Sequence, residues 1–245
     1  MPAIKVDNSE IEAKLILFDI DGTLVDDVDR YHSLGKIRFK LIKKYEGKEA
    51  AIKWANYLGV QPETLTIDMK GPISKAPRNE DIAIGAASLY RRGVPYSRAK
   101  EKIESIYEEA DEVQKSTYKP RLFDGVEEVI AALKKTGFVL GAATNGQSKI
   151  SRELLREIGL LNMLDVVVGA DLVQNSKPSP DMILEACKLV NIAPSQAVYV
   201  GDQYTDILAG LRANVKAVIG IGDEVRDSDA DFVVNSLMEI SLKER

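Results

Sequence analysis

Short apolar runs alternate with helically spaced patterns along most of this chain. The first run, Leu15-Ile16-Leu17-Phe18, reads as a short buried strand. Residues 138–143, 164–168, 197–200 and 215–219 repeat that texture, and Phe232-Val233-Val234 offers a last edge strand. Between them, residues 126–135, 149–158, 181–190 and 205–213 carry apolar side chains at helical spacing. Continuously apolar strands alternating with helices predict a parallel sheet covered on both faces.

Residues 25–118 have a different texture. They lack comparable strand runs and are rich in Lys, Glu, Ala, Tyr and Arg at helical spacing, with candidate helices at 31–45, 49–58, 80–91 and 97–114. The entry is the acidic stretch Asp26-Asp27-Val28-Asp29. The exit lies near Lys119-Pro120, where proline interrupts helix. The predicted organisation is an α/β, Rossmann-like core built from 1–24 and 119–245, with an all-helical domain, 25–118, inserted after the first strand.

Composition narrows the function. Of 245 residues, 45% are hydrophobic, enough for a core. A net charge of -5 gives no bulk signal for nucleic acid or an anionic membrane. The single cysteine, Cys187, allows no internal disulfide, fits a reducing cytoplasm and reads as a small core residue. The single histidine, His32, excludes a His-rich zinc site, argues against a Ser-His-Asp triad and reads as an ordinary polar helix residue. Residues 1–7 hold no apolar signal core, and no run approaches membrane-spanning length. A cytoplasmic protein, monomer or homodimer, is expected.

The candidate chemistry sits where predicted strands end. Asp19 and Asp21 follow the first strand two residues apart, so in extended chain they point to one side. Gly22 permits an immediate turn and Thr23 adds a hydroxyl. Like charges so close repel unless a cation or a shared proton relieves them, which suits Mg²⁺ and a phosphate ester. Thr144-Asn145-Gly146 follows the second core strand; alone it reads as a turn and helix cap, although its hydroxyl and N–H groups also suit phosphate. Lys177, between Ser176 and Pro178, is either a solvated loop lysine or a fixed cation. Pro178 restrains it and suits a first helical position. Gly201-Asp202 and Asp206 follow the strand at 197–200; a helix starting near Asp202 would set the two acids one turn apart.

Taken in order, acid pair, hydroxyl, lysine and acid pair, the chain resembles the haloacid dehalogenase (HAD) superfamily over nearly its whole length. Asp19-Ile20-Asp21-Gly22-Thr23 matches the first motif, Thr144 the second, Lys177 the third, and Gly201-Asp202 with Asp206 the fourth. The inserted helices look like the helical cap of phosphoglycolate phosphatase-like and β-phosphoglucomutase-like members. Gln203, where many members carry a small hydroxyl residue, and Asn214, where glycine is frequent, depart from the pattern.

The resemblance implies a Mg²⁺-dependent phosphatase acting on a small phosphorylated metabolite, phosphoglycolate-like or a sugar phosphate. Asp19 is then the nucleophile that forms an aspartyl-phosphate, and Asp21 the general acid and base. Asp19, the Asp21 carbonyl and Asp202 hold the metal, with Asp206 and Thr23 supporting that shell. Lys177, Thr144 and Asn145 bind phosphate. The acid at Asp21 argues for phosphoryl transfer over C–halogen cleavage. In the cap, which should set substrate choice by closing over the leaving group, residues 70–79 read as a Gly/Pro loop before a helix. Arg78, with Lys75, is the candidate for a distal anionic group, a solvated loop being the equal alternative. A phosphomutase using the same residues and a non-catalytic phosphate-binding regulatory protein are the competing readings.

Overall fold

The computed structural model describes residues 1–242. In chain order the elements begin with strands β1 (Ala3–Val6), β2 (Ser9–Glu12), β3 (Leu15–Phe18) and β4 (Val25–Asp26). Helices α1 (Val28–Glu46), α2 (Lys48–Leu58), α3 (Pro72–Lys75), α4 (Arg78–Tyr90) and α5 (Tyr96–Thr117) follow. Then come β5 (Arg121–Leu122), α6 (Val126–Thr136), β6 (Val139–Thr144), α7 (Ser148–Glu157), β7 (Val166–Gly169), α8 (Asp181–Leu189) and β8 (Ala197–Gly201). The chain continues through α9 (Tyr204–Arg212), β9 (Ala217–Ile221), β10 (Phe232–Val234) and β11 (Ser241–Leu242). Two compact units result: one from Met1–Asp26 and the chain from Pro120 on, the other Asp27–Lys119. Among the described residues no helix is long and apolar enough to cross a membrane.

In the first unit, six parallel strands run in the order β10-β9-β8-β3-β6-β7. Alternation along the strands divides the core. Ile16, Phe18, Leu140, Ala142, Val198 and Val200 pack with Val126, Ile130 and Leu133 of α6 and Leu155 of α7. Leu15, Leu17, Ala143, Ala197 and Tyr199 pack with Met182, Ile183, Ala186 and Cys187 of α8 and Ala209 of α9. Both faces are therefore dry, which is why these strands lack polar alternation.

Two small sheets escaped the apolar pattern. β11, β1 and β2 form an antiparallel sheet, and β4 pairs with β5. In β2 only Ile11 is buried, and β4 and β5 are two residues each, too little alternation to read. The 70–79 loop also contains one helical turn, α3, with Pro72 at its first position.

The second unit packs α1, α2, α4 and α5 around Trp54, Leu58, Ile82, Leu89, Ile103 and Tyr107. Its centre is polar. Arg38, 2% exposed, donates to Asp81 at 2.7 Å and lies over the Tyr107 ring, 3.7 Å from its centroid. Tyr107 donates to Asp81 at 3.0 Å and accepts from the Trp54 indole at 2.8 Å. Burying either charge alone costs several kcal/mol, so each requires the other. Arg38→Ala should therefore cost about 3–5 kcal/mol in denaturant unfolding, by leaving Asp81 buried and unpaired. Replacing both partners, Arg38→Met with Asp81→Leu, should recover most of that loss. A single-variant cost below about 1 kcal/mol would show that the pair does not hold these helices together.

Candidate active site

Parallel strands end on the same side of a sheet, and the neighbours β8, β3 and β6 bring their ends together. Asp19 directly follows β3, and its N–H donates to the Val200 carbonyl at 2.8 Å, extending the ladder to β8. The chain then turns tightly, with the Leu24 and Val25 N–H groups both on the Ile20 carbonyl at 2.9 Å. Gly22 makes the turn at φ +85°. A Cβ there would stand 2.3 Å from Asp202 Oδ2, so glycine is required twice, for conformation and for room. Thr23 Oγ1 donates to Asp202 Oδ1 at 3.1 Å, tying the first motif to the fourth.

Lys177 joins these strand ends from the loop before α8. It is 4% exposed, and its ammonium lies 2.6 Å from both Asp19 Oδ1 and Asp206 Oδ1. Its N–H donates to Asn145 Oδ1 at 3.0 Å, fixing the loop at the backbone as well. Burial alone would push the ammonium pKa down; Asp19 and Asp206 outweigh it and hold it well above the ordinary value. Burial raises Asp19 to about 7 against the pull of Lys177, and Asp206 and Asp21 add to the rise. Lys177 is thus the fixed cation of the two alternatives.

Two local expectations need correction. The last helix of the site, α9, starts at Tyr204 with Gln203 as its cap, so Asp202 precedes the helix and does not share a helical face with Asp206. Asp206 Oδ2 instead accepts the Gln203 N–H at 3.0 Å. Pro178 is not a first helical residue: it follows a cis peptide from Lys177, and α8 begins at Asp181 after Pro180. Gln203 is thus the helix cap, and Asn214 has φ +52°, a left-handed conformation that glycine adopts freely and asparagine tolerates.

Thr144 is buried at the end of β6, and its Oγ1 accepts the Gly146 N–H at 3.1 Å. Tyr199 is the residue that sequence reasoning missed. It occupies an ordinary apolar strand position, yet its hydroxyl lies 3.0 Å from Asp206 Oδ1 and 3.2 Å from both Lys177 Nζ and the Ala143 carbonyl. In the other unit, Arg78 forks onto Asp111 at 2.7 and 3.4 Å, and Lys75 closes α3. His32 also serves its own unit. Its Nδ1 donates to the Val28 carbonyl at 2.8 Å and its Nε2 accepts from the Ile67 N–H at 3.4 Å.

Asp19, Asp202 and Asp206 each offer an oxygen within 4.8 Å of the others. An all-oxygen, all-anionic donor set fits a hard divalent cation.

Residues 16–220 match the family model of haloacid dehalogenase-like hydrolases. A phosphoglycolate phosphatase of Nitrosococcus oceani is 27% identical over 94% of this chain and 95% of its own length. An N-acetylmuramic acid 6-phosphate phosphatase of Pseudomonas aeruginosa is 26% identical over 83% of this chain and 79% of its own. The crystal structure of a predicted phosphoglycolate phosphatase from Haemophilus somnus superposes with a TM-score of 0.65 at 21% identity, covering 92% of this chain and 95% of that one. The chain belongs to the haloacid dehalogenase-like hydrolases, and it is a phosphatase of that family.

Proposed function

We propose that this phosphatase hydrolyses a small phosphorylated metabolite, phosphoglycolate-like or a sugar phosphate, through a phosphoryl group carried on Asp19, with Mg²⁺ as cofactor. The observation that carries the reading is the buried Lys177 ammonium, 2.6 Å from Asp19 at the joined strand ends. The relatives' names supply the substrate class.

In the first step an Asp19 carboxylate oxygen attacks phosphorus. The ester P–O bond breaks, and Asp21, as general acid, gives a proton to the leaving alkoxide. In the second, Asp21 takes a proton from water as the water oxygen attacks the same phosphorus. The P–O bond to Asp19 breaks, phosphate leaves and the carboxylate is restored. Lys177 balances the nucleophile's charge against that of the incoming phosphate. Thr144 Oγ1, already accepting the Gly146 N–H, keeps its own proton for a phosphoryl oxygen. The N–H groups of Asn145 and Asp21 supply further donors, while the Asn145 side chain holds Lys177. Asp19, the Asp21 carbonyl and Asp202 would hold Mg²⁺, steadied by Asp206 and Thr23. When bound, the ion neutralises charge on the phosphoryl oxygens. Most of the acceleration then comes from positioned charge. Arg78 and Lys75 are proposed to read the substrate's distal anionic group, Arg78 exchanging Asp111 for it.

Phosphate release from phosphoglycolate, sugar phosphates, nucleotides and pyrophosphate tests this directly. At least one should be turned over with Mg²⁺, none in EDTA, and Asp19→Asn should lose at least about 10³-fold. Silence across the panel, or release that survives Asp19→Asn, refutes the mechanism.

A second expectation concerns stability. Asp19 rises from 3.8 to about 7 on folding, so the folded chain holds this proton more tightly than the unfolded one. Its contribution to stability is present below about 3.8 and is lost as pH rises toward about 7. Metal-free Asp19→Asn should therefore melt about 2–4 °C above the wild type at pH 7.5, and level with it near pH 4. Equal or lower melting at pH 7.5 contradicts this.

Arg78→Ala should raise KM roughly tenfold for a carboxylated or doubly phosphorylated substrate. An unchanged KM for every substrate assigns Arg78 to the Asp111 pair alone.

A further inference from the structure

Tyr199 lies in the middle of β8, with no exposure to solvent. Its neighbours Ala197, Val198 and Val200 are apolar, and the ring packs in the apolar cluster of α8 and α9. A phenylalanine would satisfy that packing. A buried hydroxyl costs free energy unless it is bonded, so its partners explain its presence. They are the Lys177 ammonium, Asp206 Oδ1 and the carbonyl of Ala143, the residue before Thr144. Because β3 lies between β8 and β6, the phenol reaches across the nucleophile's own strand to touch the next one.

The donor count gives this hydroxyl a task. Lysine has three N–H bonds. Two take the short contacts to Asp19 and Asp206, and the third faces both Tyr199 and Ala143 at 3.2 Å. The phenol proton lies between Asp206 Oδ1 at 3.0 Å and the Ala143 carbonyl at 3.2 Å. Asp206 is thereby held on both oxygens, Oδ2 by the Gln203 N–H and Oδ1 by Lys177 and Tyr199. Without the phenol, Oδ1 loses its one neutral donor and Lys177 one of the two acceptors facing its third N–H.

We propose that Tyr199 is a positioning residue for the phosphoryl-transfer site, setting the Lys177 ammonium against Asp19 through its bonds to Lys177 and Asp206. The inference rests on the phosphatase mechanism for its kinetic consequence, but its geometric content stands apart. The test is Tyr199→Phe, followed by steady-state kinetics on the best substrate with saturating Mg²⁺, a melting curve and a crystal structure of the variant.

The expected result is a kcat reduced about tenfold or more in fully folded protein, with KM within twofold of the wild type. In the crystal, Lys177 Nζ should leave hydrogen-bond reach of Asp19 or of Asp206. An unchanged kcat, or Nζ in its wild-type place, overturns the proposal, and a lowered melting temperature alone does the same by reducing the phenol to a stability element. If wild-type protein releases no phosphate from any substrate, the mechanism fails, and the Nζ position alone decides the inference. Should Tyr199→Phe not fold, Tyr199→Leu removes the same hydroxyl and takes the same readouts.

Discussion

The Lys177 ammonium is the charge on which the rest of the site depends. Sealed from water, it persists because two carboxylates meet it at 2.6 Å. Remove it, and Asp19 and Asp206 are left as two buried carboxylates without the cation that joins them. The same ion draws together distant parts of the chain: Asp19 after β3, Asp206 in α9, Tyr199 in β8 and the Ala143 carbonyl in β6. Removing Lys177 would therefore undo the geometry as well as the charge balance. With Lys177 in place, Asp19 is held in one orientation, the pre-organisation that the proposed mechanism requires.

Topology supplies the remainder. Strand order places β3 between β8 and β6, so residues far apart in sequence end at one edge without long loops. Side chains then decide whether the ends can approach. At Gly201 a Cβ would lie 2.4 Å from the Asp206 Cβ, as at Gly22 one would strike Asp202. Glycine at these two positions allows three carboxylates and a lysine to share one small volume.

Much of this was legible beforehand, for physical reasons. Buried parallel strands are continuously apolar, so β3, β6, β8 and β9 stood out within two residues of their ends. Each acid had a structural reading when taken singly; they stood out through the ordered set of acid pair, hydroxyl, lysine and acid pair, each at a strand end. What stayed hidden lacked a local signature. Tyr199 looks like any strand aromatic, and only the fold reveals what its hydroxyl meets. The start of α9 was misplaced because Asp202 is by residue type the better cap; the hydrogen bond from Gln203 N–H to Asp206 places the cap at Gln203 instead. The β1–β2 hairpin buries one residue in its second strand, too few for periodicity to register.

The two units each contain an ionic cluster, and the two are built differently. In the helical unit, Arg38 and Arg78 face Asp81 and Asp111, two cations against two anions, with both guanidiniums close to the Tyr107 ring. Both guanidiniums are paired through their terminal nitrogens, while their buried Nε atoms have no hydrogen-bond partner among the described residues. At the sheet end, Lys177 meets Asp19 and Asp206, and Asp202 brings a third carboxylate oxygen within 4.8 Å of theirs. Burial first, and then the neighbouring carboxylates, raises Asp19 to about 7 against the pull of Lys177. Arginine–carboxylate pairs suit a cluster that holds helices together; converging carboxylate oxygens suit one that could still hold a divalent cation.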